Sequence, residues 1–163
     1  ILGITKTSSI LLVSNIEFLK NTFATGLPYL SNENNVFNRG ELGIQGSRPA
    51  EIIKLWLGLR FLGMQGIEEI LSSSIERRKY LEKNLNSDKF DIYSGALHII
   101  SFLPKGMNKN ESDLWSLNKR FSLMKKNFML SRPIFKNRYF LRAALGNYNT
   151  SKENINELLK LLN

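Results

Sequence analysis

The chain has 163 residues, enough to bury a core, and its formal charge of +9 comes from 23 Lys and Arg against 14 Asp and Glu. The absence of cysteine excludes disulfides, thiolate metal sites and a cysteine nucleophile, and the single histidine, His98, leaves no histidine-based metal cage or Ser-His-Asp machinery. No apolar run approaches bilayer length and no signal-peptide core is present, so we predict a soluble protein with no metal and no membrane partner.

The first quarter of the chain is predicted to contain a strand, a short helix and a functional loop. Ser8–Val13 is a continuous apolar run, which is typical of a strand covered on both faces. Ile16–Phe23 can form one or two helical turns. Leu27–Glu41 is polar and lacks periodicity, so we interpret it as a mobile loop of the kind that often carries function.

The stretch from Gly43 to Glu68 is the feature around which the chain is organised. Ser47 can cap a helix with its hydroxyl, and Pro49 suits a first helical turn, so a helix should begin near Ser47. From Ile52 to Leu62 the apolar residues cover more than one stripe of that helix. The pattern alone predicts a long core helix, buried on most sides and preceded by a glycine-rich turn.

A second helix, a turn and an α+β unit follow. Gln65–Asn86 is apolar at helical spacing, and the turn signal at 86–88 is our predicted domain boundary, which gives regions 1–86 and 87–163. The second region should contain strands at Phe90–Tyr93 and Leu97–Leu103, a helix from Ser112 or Asp113 to about Lys126, strands at Phe128–Leu130 and Tyr139–Leu145, and a helix after a capping box at Thr150–Glu153.

Basic and aromatic residues are interleaved between Lys105 and Arg142, a pattern that can serve nucleic-acid binding. The aromatic residues also fall at the helix and strand spacings that a core requires. We therefore predict that they belong to the core and that nucleic acid is not a partner, with a basic nucleic-acid-binding module as the remote alternative.

Three strings of residues resemble one family closely. They are Gln45-Gly46-Ser47-Arg48, Lys54-Leu55-Trp56 and Leu62-Gly63-Met64-Gln65-Gly66. They resemble the group II pyridoxal-phosphate-dependent amino-acid decarboxylases of the glutamate, histidine and aromatic amino-acid type. The likeness spans nearly the whole chain and is densest over 1–68. It implies an α/β, fold-type-I transferase-like architecture, with 1–86 as the end of the large cofactor-binding domain and 87–163 as the small α+β domain.

The resemblance also implies an activity and its cofactor. The family decarboxylates an L-amino acid to an amine and CO2 with pyridoxal 5′-phosphate, as a cytoplasmic homodimer whose sites are shared between subunits. Its Schiff-base lysine falls immediately before Ile1, so we expect this chain to be the carboxy-terminal part of such a lyase. Lys6 does not match the lysine position. The histidine that stacks on the cofactor ring and the aspartate that pairs with the ring nitrogen also belong to the portion before Ile1.

Four residues take roles from the resemblance, each with a plainer alternative. Tyr29 matches the loop tyrosine that protonates the α-carbon in the neighbouring subunit's site, and otherwise is a surface-loop residue. Gly46 and Ser47 match the turn near the cofactor phosphate, where Ser47 could also simply cap its helix. Arg142 matches the arginine that meets the substrate carboxylate in the glutamate-type enzymes, and otherwise is a paired structural charge.

Two further functions stay open. The chain could be a non-catalytic or split-subunit homologue that only dimerises, or part of an enzyme that forms an aldehyde after decarboxylation. The residues before Ile1 would discriminate the first of these, since a His-Lys pair there indicates an enzyme. The identity of the amino-acid substrate does not follow from the sequence.

Overall fold

The structure is a computed structural model that describes residues 2, 10–27, 39–45 and 49–162. The chain forms two compact units, one of residues 4–58 and one of residues 59–163 with 1–3. The elements in chain order are α1 (Glu17–Phe23), a 3₁₀ helix (Arg39–Leu42), α2 (Ile52–Asn84), β1 (Phe90–Ser94), β2 (Ile99–Pro104), α3 (Lys109–Met124), β3 (Ile134–Phe135), β4 (Arg138–Tyr139), β5 (Leu141–Ala144) and α4 (Lys152–Leu162).

In the unit of residues 4–58, the predicted short helix is confirmed as α1. Its first turn is stabilised because Asn15 Oδ1 accepts a hydrogen bond from the backbone amide of Glu17 at 3.0 Å. Glu41, in the 3₁₀ helix, accepts hydrogen bonds from the amide and hydroxyl of Thr25 at 3.0 and 2.7 Å. These bonds join the segment after α1 to the 3₁₀ helix, whereas residues 28–38 of the predicted loop lie outside the described part.

The strand predicted over Ser8–Val13 is not present where the structure describes it. Residues 10–13 have no strand assignment, and Leu12 is 89% exposed. A strand exists only through hydrogen bonds to a neighbouring strand, and within residues 10–27, 39–45 and 49–162 no strand pairs with this segment. The apolar run predicts a segment that is buried on both faces, and none of the described residues buries it in this way.

Helix α2 contains the break between the two helices that the sequence predicts. Gly63 has φ 63° and ψ 177°, a backbone conformation that glycine adopts without a steric penalty. The helix begins at Ile52, later than the predicted start near Ser47. The prediction that 52–62 is buried on most sides is wrong for the described structure, in which Trp56 is 58% exposed and Phe61 90% exposed. A helix that is apolar on most sides needs partners on most sides, and the described residues provide them only in part.

The carboxy-terminal part of α2 belongs to the core of the unit of residues 59–163. Leu81 and Leu85 are buried there. The Nε atoms of Arg77 and Arg78 donate hydrogen bonds to the carbonyl oxygens of Leu145 and Leu97, at 3.0 and 3.1 Å. These two hydrogen bonds join α2 to the segments next to β2 and β5. The boundary between the two compact units lies near residue 58. The assignment of 1–86 and 87–163 to a large and a small domain stays a prediction.

An antiparallel sheet with the order β1-β2-β5 forms the centre of this unit. It confirms the strands predicted near 90–93 and 97–103. Side chains alternate between its two faces, and one face packs against α2, α3 and α4. The buried core residues are Leu81, Leu85, Phe90, Ile100, Phe102, Leu123, Leu130, Leu141, Ala143, Leu145, Ile155, Leu158, Leu159 and Leu162.

Both helix caps of this unit differ from the predicted ones by a few residues. Helix α3 begins at Lys109 because Asn108 and Glu111 form a capping box, in which each side chain accepts a hydrogen bond from the other's backbone amide, at 3.1 and 2.8 Å. Helix α4 is preceded by the same arrangement between Ser151 and Asn154, at 3.3 and 3.0 Å. The prediction placed the caps at Ser112 or Asp113 and at Thr150 because it did not consider asparagine side chains as hydrogen-bond acceptors.

The strands predicted at Phe128–Leu130 and Tyr139–Leu145 are replaced by a more divided arrangement. Strands β3 and β4 form a hairpin whose two turn residues, Lys136 and Asn137, have positive φ angles of 47° and 56°. Two such residues in sequence are typical of the tight turn that matches strand twist. After the hairpin, β5 pairs with β2, and Arg142 forms a β-bridge with Ser131.

Within the described ranges, no helix is both long and apolar enough to cross a bilayer. The same part of the chain contains no group of three or more His, Asp or Glu side chains arranged to hold a metal ion.

The carboxylate of Glu82 should give the fold a measurable pH dependence. A hydrogen bond from the Ser94 hydroxyl at 2.6 Å, followed by the contact with Arg78, lowers the pKa of Glu82 below its ordinary value of 4.5. The ionised form therefore stabilises the folded state at neutral pH, and this contribution is lost as the pH falls from about 4.5 through the lowered folded pKa.

We expect Glu82→Gln to lower the urea midpoint modestly at pH 7, with a difference from the wild type that shrinks below pH 4.5. Urea unfolding at several pH values measures this. Glu76→Gln, which removes the same charge from an exposed position of α2, controls for net charge. A Glu82→Gln deficit that persists unchanged at low pH would contradict the assignment.

Candidate functional site

The four residues assigned by resemblance divide into two groups. Tyr29, Gly46 and Ser47 lie outside the described residues, so their roles stay predictions. Arg142 lies in β5, one of the two edge strands of the three-stranded sheet in the unit of residues 59–163. The candidate site is therefore built around Arg142.

Arg142 belongs to a row of polar side chains that crosses the sheet. The register places Tyr93 opposite Ser101, and Ser101 opposite Arg142, so these three side chains point to the same face. That face is opposite to the one that carries Ile100 and Phe102 in the core. Ser131 extends the row, because it is bridged to Arg142.

Four hydrogen bonds connect Ser131 and Arg142, and three of them are 3.1 Å or shorter. The Arg142 amide donates to the Ser131 carbonyl at 2.8 Å, and the Ser131 amide donates to the Arg142 carbonyl at 3.1 Å. The Nε atom of Arg142 also donates to the Ser131 hydroxyl oxygen at 2.8 Å. Neither terminal nitrogen of Arg142 has a hydrogen-bond partner among the residues that the structure describes. Arg142 therefore retains the pair of donors that a carboxylate can bind.

An aromatic cluster adjoins this row on the same face. The ring of Tyr93 lies 5.1 Å from that of Phe135 and 5.5 Å from that of Phe140, in edge-to-face arrangements. The Lys136 amine lies 5.1 Å from the centre of the Tyr93 ring. The hairpin of β3 and β4 thus covers one side of the polar row with apolar rings and a cation.

Other arginines in the same stretch of the sequence have partners within the fold. Arg138 forms an ion pair with Asp91 at 2.8 Å. Arg132 is paired with Asp113, and its guanidinium lies 4.3 Å from the centre of the Tyr139 ring. Arg120 donates to the Leu130 carbonyl at 3.0 Å. These three arginines therefore form contacts within the fold and account for part of the basic charge of this region.

The prediction that the aromatic residues of this region belong to the core is wrong for Phe121 and Phe135, which are 53% and 46% exposed on α3 and β3. Trp115 and Phe128 pack against the core cluster, and Trp115 contacts Phe90 with ring centres 6.4 Å apart. This confirms for these two residues the prediction made from their spacing. It removes them from the candidate surface for stacking on nucleic-acid bases.

The apolar sequence around His98 predicts a satisfied core or strand histidine, which is wrong: the residue lies just before β2 and is only partly buried. Its Nδ1 atom is buried without a hydrogen-bond partner among the described residues, and burial lowers the pKa of the imidazole below 6.5. The ring is therefore neutral at physiological pH. We assign no chemistry to it.

Ser131 is the residue of this site that sequence reasoning missed. It stands before Arg132-Pro133, in a stretch with no strand periodicity, and its partner Arg142 follows only after the β3–β4 hairpin. Only knowledge of the tight turn at Lys136 and Asn137 would have brought the two residues opposite one another.

Solved structures share this fold. The chain matches TDC from Oryza sativa, crystallised with PLP and tryptamine, with a TM-score of 0.71 and 17% identity over 88% of this chain and 32% of that one. It matches 4-hydroxyphenylacetaldehyde synthase from Rhodiola rosea with a TM-score of 0.69 and 18% identity over 90% and 31% of the two chains. For tryptophan decarboxylase from Catharanthus roseus in complex with L-tryptophan, the TM-score is 0.66 and the identity 20%, over 88% and 32%.

These likenesses confirm the predicted fold class, and the chain spans about a third of the length of the structures it matches. The sequence evidence is independent of the coordinates. The family model described as the pyridoxal-dependent decarboxylase conserved domain matches residues 1–102, which is more than half of the chain. The chain therefore belongs to the pyridoxal-dependent decarboxylase family.

Proposed function

We propose that this chain is the carboxy-terminal part of an enzyme that uses pyridoxal 5′-phosphate to decarboxylate an L-amino acid to an amine and CO2. The observation that carries the proposal is the family match over residues 1–102. The fold likeness supports it, since the structures with this fold include a tryptophan decarboxylase bound to L-tryptophan and a protein bound to PLP and tryptamine.

The cofactor would be held in part by Gly46 and Ser47. A serine hydroxyl and backbone amides at the start of a helix are suitable donors for a phosphate. The nearest carboxylate in the sequence is that of Glu51, which forms an ion pair with Lys54. Its negative charge is therefore compensated and opposes a phosphate less. When bound, the cofactor ring accepts the electron pair released as CO2 leaves. The Schiff-base lysine would be supplied immediately before Ile1, as the family resemblance implies.

Tyr29 would act as the general acid of the reaction. A phenol holds its proton at neutral pH and can donate it to the α-carbon after CO2 has departed. Its ring would also help to exclude water when the loop closes over the site. The support for this role is the match of Leu27-Pro28-Tyr29-Leu30 to the family's loop.

Arg142 would bind the carboxylate of the substrate. Its terminal nitrogens are available, and a planar guanidinium can donate two parallel hydrogen bonds to one carboxylate. The surrounding face favours an anion, because Lys136 adds positive charge and the nearby carboxylate of Asp91 is neutralised by Arg138. These observations support Arg142 as the group that orients the substrate.

A homodimer with shared sites belongs to the same proposal, since the family tyrosine and phosphate-binding turn act in the neighbouring subunit's site. Exposed apolar side chains, such as Leu12 and Ile44, support the expectation that this part of the chain has a partner. A cytoplasmic location rests on the family resemblance alone.

Aldehyde formation is the second candidate, because one structure with this fold is a 4-hydroxyphenylacetaldehyde synthase. Amine formation is preferred here because Tyr29 supplies a proton donor for the α-carbon. A non-catalytic or split-subunit homologue is the third candidate. A residue other than lysine immediately before Ile1 would favour that last reading.

The test is a panel of L-amino acids offered to the full-length protein with added pyridoxal 5′-phosphate. Release of CO2 with an equal amount of amine supports the proposal. Release of CO2 with aldehyde supports the second candidate, and the absence of CO2 from every substrate would contradict both.

Replacing Arg142 is expected to weaken substrate binding without removing the cofactor. For Arg142→Ala we expect kcat/KM to fall about 10- to 100-fold, because two charge-assisted hydrogen bonds to the carboxylate are lost. Arg142→Lys should recover little, since an ammonium cannot reproduce the two parallel bonds. Lys125→Ala removes the same charge from an exposed position at the end of α3 and serves as the control. Unchanged kinetics for Arg142→Ala would show that its guanidinium is structural.

A further inference from the structure

The polar row on the sheet contains a residue that the family resemblance does not assign. Ser131 lies beside Arg142 and contacts its side chain as well as its backbone. Its hydroxyl oxygen accepts from Arg142 Nε at 2.8 Å and lies 3.4 Å from the Arg142 carbonyl oxygen, to which the hydroxyl donates. The hydroxyl is thus oriented at both ends by the same residue.

This contact restricts how Arg142 can receive an anion. A guanidinium can bind a carboxylate side-on, through Nε and one terminal nitrogen, or end-on, through the two terminal nitrogens. Because Nε already donates to Ser131, only the end-on pair remains available. The backbone bridge, with bonds of 2.8 and 3.1 Å, fixes the position of Ser131 relative to the arginine.

We propose that Ser131 is a positioning residue, which holds the Arg142 guanidinium so that its two terminal nitrogens face the substrate carboxylate end-on. The inference rests on the proposed function of Arg142 as the carboxylate-binding group. The gain is one of preorganisation: an arginine side chain has several rotatable bonds, and a fixed Nε lowers the entropy lost when the carboxylate binds.

Ser101 provides the matched comparison. It faces Arg142 from β2 and points to the same side of the sheet, but the structure gives it no hydrogen bond to the guanidinium. If binding of the carboxylate depended only on the polarity of this face, replacing either serine would weaken binding equally. A positioning effect should involve Ser131 alone.

The experiment measures binding of glutarate to the full-length protein loaded with its cofactor, by isothermal titration calorimetry. Glutarate has two carboxylates and no amine, so its binding requires no reaction. We expect Ser131→Ala to weaken binding about three- to tenfold, as for loss of one hydrogen bond. We expect Ser131→Thr, which keeps the hydroxyl and suits an extended segment, to stay within about twofold of the wild type, as should Ser101→Ala.

Kinetics with the substrate found by the panel add a second readout. Ser131→Ala should raise KM while kcat stays nearly constant, since the arginine binds but does not react. The thermal unfolding midpoint separates positioning from a general loss of structure. A Ser131→Thr variant as weak as Ser131→Ala would overturn the inference, as would equal losses for Ser131→Ala and Ser101→Ala.

The outcomes also separate this inference from the function on which it rests. If Arg142→Ala weakens glutarate binding and Ser131→Ala does not, the inference fails and the role of Arg142 survives. If the wild type does not bind glutarate, or Arg142→Ala binds it equally well, both the arginine's role and the inference fall. Decarboxylation is scored by CO2 release, independently of either binding result.

Discussion

Amine formation should fall about 100- to 10,000-fold when Tyr29 is replaced by phenylalanine in the full-length protein, while the absorbance of the bound cofactor is retained. The range is that of a general acid removed from a site whose other groups remain in place. Phenylalanine keeps the aromatic ring and removes only the hydroxyl, which is the proposed proton donor.

The products of the Tyr29→Phe variant are as informative as its rate. Without a proton donor at the α-carbon, part of the remaining turnover should be diverted to oxygen. The amino acid, O2 and water would then yield an aldehyde, CO2, ammonia and hydrogen peroxide. Amine, aldehyde and peroxide measured in parallel, with and without oxygen, give the partition between the two routes.

Tyr148→Phe is the matched control, because Tyr148 is 70% exposed in the loop before α4. It should leave both the rate and the products unchanged. Unchanged amine formation by Tyr29→Phe would remove the proposed acid role and leave Tyr29 as an ordinary loop residue. Loss of cofactor absorbance in this variant would instead indicate a structural role.

The fold of the unit of residues 59–163 was largely predictable, because local patterns determine it. Alternation and turn residues located β1 and β2, and helical spacing located α3 and α4. The caps at Asn108 and Ser151 differed from prediction because several neighbouring residues could each have served. The β3–β4 hairpin was missed because its turn needs positive φ angles at Lys136 and Asn137. The usual sequence signal for such a turn is a glycine, and neither turn position has one.

Burial in the earlier part of the chain was less predictable, because it depends on partners as well as sequence. The apolar residues of 10–13 and 52–62 predict buried surfaces, but burial requires a partner element that these residues do not identify, and the structure leaves many of them exposed. The candidate site shows the same limit. Arg142 was found through family resemblance, whereas Ser131 required the three-dimensional pairing of two segments separated by a hairpin.

The second large effect concerns the sheet that carries Arg142. For Phe102→Ala we expect a loss of about 3–5 kcal/mol in the free energy of unfolding, the range found when a buried phenylalanine is reduced to alanine. Phe102 is fully buried in the central strand β2, and its ring meets that of Phe90 edge-to-face with centres 6.0 Å apart. Neighbours on both sides belong to hydrogen-bonded strands, so the cavity cannot collapse easily.

Urea unfolding followed by Trp115 fluorescence measures this loss, since Trp115 packs against Phe90 in the same core. The chain has two tryptophans, Trp56 and Trp115. Making each variant in a protein that also carries Trp56→Phe leaves Trp115 as the only tryptophan of this chain that contributes to the fluorescence. Phe121→Ala is the control: Phe121 is 53% exposed on α3, and its loss should cost less than about 0.5 kcal/mol.

The effect should extend to the candidate site, because Phe102 pairs with Leu141 and the next pair along the ladder joins Ser101 to Arg142. A cavity at Phe102 loosens the strand that holds β5, so the amide of Arg142 should exchange with solvent faster than in the Phe121→Ala control. A small loss of stability, or unchanged exchange at Arg142, would show that β5 is held mainly by its bridge to Ser131 and by the hydrogen bond from Arg77 to the adjoining Leu145. The positioning of the arginine would then be independent of the central core.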